Sequence, residues 1–120
     1  MNMKYLIHSI LFVFLFTTNS CIIRNNTPPD KPVWLKQKIR KLSHQPVQNP
    51  PASVYEYQYN GDIVFYFPPQ CCDAFSDLFD KNGKLICHPD GGITGKGDGL
   101  CSDFFQQATM IQLIWQDKRH

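Results

Sequence analysis

VYEYQYNGDIVFYF, residues 54–67, is the stretch on which the fold turns. Val54, Tyr55, Tyr57 and Tyr59 on one side of Asn60-Gly61, and Ile63 to Phe67 on the other, are the β-branched and aromatic types that suit a pleated surface. Asn-Gly supplies the positive φ angles of a two-residue hairpin turn, so the stretch predicts two antiparallel strands. Downstream the same pattern recurs: Phe75 to Asp80, the turn Lys81-Asn82-Gly83, then Lys84 to His88. A last apolar run, Met110 to Trp115, predicts a closing strand. Upstream, Gln45 to Pro51 carries Pro46, Pro50 and Pro51 and can only be a connector. Before it, Trp34, Leu35, Ile39 and Leu42 recur at helical spacing, while Lys36, Arg40 and Lys41 fall mainly off that face. The spacing predicts an amphipathic helix from Val33 to Ser43, led in by Asp30 and Pro32, with a basic side read as solvated. The fold class is therefore α+β, with one N-terminal amphipathic helix packed on an antiparallel sheet of about four or five strands.

The N-terminal segment has a different character. Residues 1–20 hold Lys4, an apolar run from Tyr5 to Phe16 broken by His8 and Ser9, and the polar Thr17-Thr18-Asn19-Ser20, which is the layout of a secretory signal. The run is shorter than the ~20 residues that cross a bilayer as a helix. Cys21 directly follows a small residue, an arrangement that resembles the bacterial lipoprotein signal, in which that cysteine is acylated and becomes the N-terminus. Thr18 stands where that signal has an aliphatic residue, and Thr18 with Ser20 equally suits ordinary cleavage and a secreted product. Five cysteines are odd for a secreted chain, and assigning Cys21 to lipid leaves an even four. Residues 21–31, polar with Pro28 and Pro29, read as a tether, and residues 32–120 as a single domain. Beyond the signal the chain holds eleven Lys or Arg against ten Asp or Glu. Such a balance argues against nucleic acid or a polybasic membrane contact as principal partner.

The chemistry-bearing types gather between Cys71 and Asp103. In an oxidising compartment Cys71, Cys72, Cys87 and Cys101 should form two bridges. A direct Cys71–Cys72 link would need a strained ring. That leaves Cys71–Cys87 with Cys72–Cys101, or Cys71–Cys101 with Cys72–Cys87, with the adjacent pair on a strand pointing to opposite faces. Zinc is disfavoured because no Cys-x-x-Cys knuckle occurs, and a thiol nucleophile because a bridged cysteine has no thiolate. Between the outer cysteines, Asp90-Gly91-Gly92-Ile93-Thr94-Gly95-Lys96-Gly97-Asp98-Gly99 offers five glycines whose backbone freedom could turn amides towards an anion or a partner. The loop fails the phosphate-loop pattern, with Asp90 at its first glycine and Gly97 at its Ser/Thr, so nucleotide is disfavoured. Asp73, Asp90 and Asp98 could serve calcium, or act as acid and base in a small hydrolase. The plainer reading gives Asp80, Asp90 and Asp98 to turns and loop caps. No catalytic residue, metal or cofactor is assigned.

The ordered set Trp34-Leu35, Tyr59-x-Gly61, Val64-x-Tyr66, Cys71-Cys72-Asp73, Asp80-x-Asn82-Gly83, Ile86-Cys87, Pro89 to Gly99, Cys101 and Ile114-Trp115 resembles a family of small uncharacterised lipoproteins from Bacteroidetes-type bacteria. The resemblance implies a location and a domain unit, and carries over no catalytic residue. The expectation is a lipid-anchored cell-envelope protein, on the outer membrane and facing an oxidising compartment, with secretion as the alternative. Its domain would be a binding module that presents Asp73 and Gly91 to Gly99 to a protein partner. A hydrolase or calcium-binding domain using Asp73, Asp90 and Asp98 is the alternative, weakened by the small size of the domain.

Overall fold

The structure, a computed structural model, describes residues 31–71 and 73–120. The expected signal, Cys21, most of the tether and Cys72 lie outside the described residues. The elements run α1 (Val33–Ser43), β1 (Ser53–Tyr59), β2 (Asp62–Phe67), β3 (Asp77–Asp80), β4 (Leu85–Cys87), α2 (Phe104–Gln107) and β5 (Thr109–Gln116). The strands form one five-stranded antiparallel sheet in the order β4-β3-β2-β1-β5. No helix among the described residues is long and apolar enough to cross a membrane.

The Asn60-Gly61 turn joins β1 to β2 with φ of 51° and 81°, so Tyr59 pairs with Asp62 and the register runs on to Tyr55 with Tyr66. The second hairpin is shorter than its sequence predicts, because Phe75, Ser76 and His88 are drawn into the loops beside it. Its turn is held by Asp80, whose Oδ1 accepts from the amides of Asn82 and Lys84 at 2.8 and 3.0 Å. Carboxylate capping of a turn in this way is the ordinary behaviour of Asp at such positions.

Alternation along β1 and β2 divides the side chains into two clusters. Val54, Phe65 and Phe67 point to one face, where Leu35 of α1 is wholly buried among them and Trp34, Ile39 and Leu42 pack alongside. Burying such a leucine contributes about 1.5–3 kcal/mol. Trp34 also ties the helix to the second hairpin, since its Nε1 donates to the Lys81 carbonyl at 2.9 Å and its ring lies where a Cβ on Gly83 would fall. Lys38 reaches over the Phe79 ring, 4.6 Å from its centroid.

Tyr59, Val64, Tyr66 and Leu78 point to the opposite face. Among the described residues no long helix covers it. The cover is the segment from Cys87 through Cys101 to α2, with Phe104 fully buried against Tyr57, Tyr59 and Tyr66. A two-layer expectation of helix and sheet thus becomes a sheet with a helix on one side and a braced loop on the other.

Candidate functional site

The cysteines set the frame of this loop. Cys87 is bonded to Cys101, across a separation of 14 residues. This corrects both pairings expected from the sequence, each of which sent those two cysteines to different partners. The physical reason is local: the chain leaves β4 at Cys87, makes the glycine loop, and returns at once over the same face, bringing Cys101 back beside its start. One disulfide therefore lies wholly among the described residues. Cys71 is disulfide-bonded too. Nor does Cys71 sit on a strand; its carbonyl accepts from the Ala74 amide at 2.9 Å in a turn after β2.

Inside the frame the loop is stitched to itself and to the sheet. Asp90 is held by Ser76 three ways: the Ser76 amide and hydroxyl donate to the Asp90 carbonyl, and the Asp90 amide donates to the hydroxyl, all at 3.0 Å. The Asp90 carboxylate accepts from the Tyr66 hydroxyl at 2.9 Å. Burial, and then this bond, push the Tyr66 hydroxyl far above its ordinary range, so it stays a donor at any physiological pH. Asp103 plays the same part for Tyr59, at 2.7 Å, and raises that hydroxyl as well.

Asp98 closes the loop's far end. Its carboxylate accepts from the His88 amide and the Leu100 amide, both at 3.0 Å, while its own amide donates to the His88 carbonyl. Partial burial acts to raise its carboxyl, but the Leu100 and His88 amides and the nearby imidazole together hold it below its usual value. The His88 ring faces the Ser76 carbonyl at 2.6 Å and Asp77 Oδ1 at 3.0 Å through the same Nδ1, and it stacks on Phe75. With two oxygens before it, Nδ1 carries the hydrogen.

The glycines divide by what surrounds them. A Cβ on Gly97 would fall 1.9 Å from the His88 carbonyl, and one on Gly91 2.3 Å from the Ala74 carbonyl, so these two permit backbone to lie against backbone. Gly95 has open space around it and only the left-handed φ of 72° to explain it. The amides expected to turn towards an anion are largely taken: Gly92 donates to Ala74, Gly95 to Gly92, Gly97 to Gly91 and Lys96 to the Thr94 hydroxyl. The loop is thus a packed unit whose donors point inward.

Beside the exposed Thr94, Lys96 and Asp98 it offers two large apolar side chains outward. Ile93 is 90% exposed and Leu100 76%. Beside Ile93 an open concavity of about 430 Å³ is lined by Asp73, Phe75, Gly92, Ile93, Thr94 and Gly97. Asp73 is thus placed at the loop with its nominated neighbours, whereas Asp90 and Asp98 spend their carboxylates on separate internal bonds. Among the described residues no three His, Cys, Asp or Glu side chains come together as a metal-holding group. The Ser76 clasp and the place of Phe75 on the surface escape a reading of the sequence, because its pattern assigns both residues to a strand from Phe75 to Asp80, which begins only at Asp77.

No curated protein and no solved structure matches the chain. A family match covers residues 40–117, from the last turn of α1 to one residue past β5, and so takes in the whole sheet and the braced loop. That is well over half of the 120 residues, and the chain accordingly belongs to the family of the domain of unknown function DUF6970.

Proposed function

We propose that the chain is a lipid-anchored protein of the bacterial cell envelope whose domain is an interaction module, presenting the Gly91 to Gly99 loop to a protein partner. The observation that carries the module reading is an almost fully exposed isoleucine, Ile93, on a loop already fixed by its own hydrogen bonds and by the Cys87–Cys101 bridge. A preordered loop loses little conformational entropy on docking, and an apolar tip beside a concavity is the kind of anchor that dominates interfaces. The carboxylate alternatives, hydrolase or calcium site, gain no comparable support, since Asp90 and Asp98 are engaged with Tyr66 and with the loop's own amides. The anchor rests on the signal layout, on Cys21 and on the resemblance of the cysteine and glycine motif.

Two measurements test the two halves. A photo-crosslinker placed at Thr94 in cells should capture a defined partner that the same group at Asn82 does not, and Ile93→Asp should remove the capture without altering thermal stability. Identical products from both positions would overturn the loop reading. Mass spectrometry of the mature N-terminus should find acylated Cys21; an unmodified cysteine would withdraw the anchor.

A further inference from the structure

The near-neutral total conceals a separation of charge by face. Residues 31–45 hold five Lys or Arg and no Asp or Glu, whereas the stretch from Cys71 to Asp103 holds six Asp against three Lys. The first group lies on and around α1. The second includes Asp90, Asp98 and Asp103, which lie in the loop layer on the other side of the sheet.

Gln37, Arg40 and Lys41 of α1 and His44 just past its end follow one another at helical spacing, are all exposed, and together line one open surface. Neither Arg40 nor Lys41 meets a carboxylate among the described residues. The C-terminal tail adds to this side. Arg119, neutralised by its ion pair with the buried Asp117 at 2.7 Å, fastens the tail by donating to the Gln45 carbonyl at 2.9 Å, and the exposed Lys118 shares a shallow surface with Ser43 at the end of α1. Attraction to the negative end of the helix accounts for Arg40 and Lys41 in the last turn. It does not account for a tail that returns from the far end of the chain to set Lys118 beside the helix, or for the absence of any acid on the helix.

We infer that this basic face, Arg40 and Lys41 of α1 with Lys118 of the tail, docks against an anionic lipid surface. The inference extends the proposed anchoring. The described chain starts two residues before α1, and Cys21 lies ten residues before Lys31, a span of at most about 33 Å. A lipid on Cys21 would therefore hold the helix within reach of the headgroups. Each Lys or Arg brought to such a surface strengthens attachment about fivefold. With the acidic loop layer repelled by the same surface, the domain would lie helix-down, and the Gly91 to Gly99 loop would face away, open to a partner.

Lysine footprinting of the purified native chain on vesicles tests this. On vesicles containing phosphatidylglycerol, acetylation of Lys41 and Lys118 should slow several-fold relative to phosphatidylcholine vesicles, with Lys96 unchanged. The protection should vanish at ~1 M salt, where the screening length falls to about 3 Å. Arg40→Glu, at an exposed position, should weaken it about tenfold or more, while the unfolding temperature falls by no more than the few degrees that reversing a charge at the helix end costs. Equal labelling on both lipids, protection that survives high salt, or protection indifferent to Arg40→Glu would each overturn the inference. Anchor and face fail separately: an unacylated chain that still shows protection loses only the anchor, and an acylated chain without it loses only the docking face.

Discussion

The two faces of the sheet bury side chains of similar size but are covered by opposite means. On one, an eleven-residue helix sets Leu35, Ile39 and Leu42 at regular intervals against Val54, Phe65 and Phe67. On the other, an irregular segment reaches the same result with a disulfide, a serine clasp, two capping aspartates and glycines that let carbonyls press where a side chain would stand. Periodic cover depends on apolar contact and tolerates small changes of shape. Irregular cover depends on a few obligatory backbone positions, so its tolerance should vary sharply from residue to residue.

The largest contrast is expected within the loop itself. Gly97→Ala must displace the His88 carbonyl and should cost at least about 4 kcal/mol, or prevent folding, whereas Gly95→Ala meets nothing and should cost only the ~1–2 kcal/mol of a left-handed alanine. Urea unfolding of the two variants reads the difference; equal losses would mean that the loop is not packed as described. On the helix side, Leu35→Ala should destabilise by about 2–5 kcal/mol through the cavity it leaves. Replacing Cys87 and Cys101 together by serine should remove about 3 kcal/mol, as expected for a closed loop of this length. Hydrogen exchange in that variant should rise in residues 88–107 before it rises in α1, and simultaneous opening of both would erase the distinction between the faces.

A smaller effect separates the faces by pH. Asp98 and Asp117 both have folded carboxyls held below their usual value, Asp98 by the Leu100 and His88 amides against a burial that acts to raise it, Asp117 by Arg119. A depressed folded value means that the stability they lend is complete above the ordinary Asp range near 4, and is lost as pH falls below it through the folded values. Asp98→Asn should therefore flatten the acid limb of stability below the ordinary Asp range near pH 4. An unchanged slope would show that the loop's far end is not held by this carboxylate.

The same contrast explains what could be read in the sequence. α1 runs over the residues its spacing predicts, because a helix that buries one stripe must repeat that stripe every three or four residues. The Asn60-Gly61 and Asp80 to Gly83 turns were legible because their chemistry is local. The position of β5 beside β1, the Cys87–Cys101 pairing and the closure of the second face were not, for each joins segments whose neighbours in sequence carry no trace of the partner. Of the nominated site, the loop and Asp73 stand together, but Asp90 and Asp98 turned out to be fastenings, a use that costs a carboxylate its freedom and looks identical to a catalytic one in a bare sequence.

One feature of the sheet bears on how copies of the domain can live side by side. β5 is an edge strand of eight residues without a charge or a proline, and Met110, Ile111 and Leu113 are about half exposed on it. Its register against β1 slips twice, passing over Ile114 and Ile111. Each slip bends the strand and interrupts the even row of amides and carbonyls that a neighbouring edge would need. Molecules confined to a surface meet edge to edge far more often than molecules free in solution, and an unbroken strand of this composition would invite them to zip into ribbons. The two extra isoleucines spoil that fit and so blunt the edge against pairing with a copy of itself.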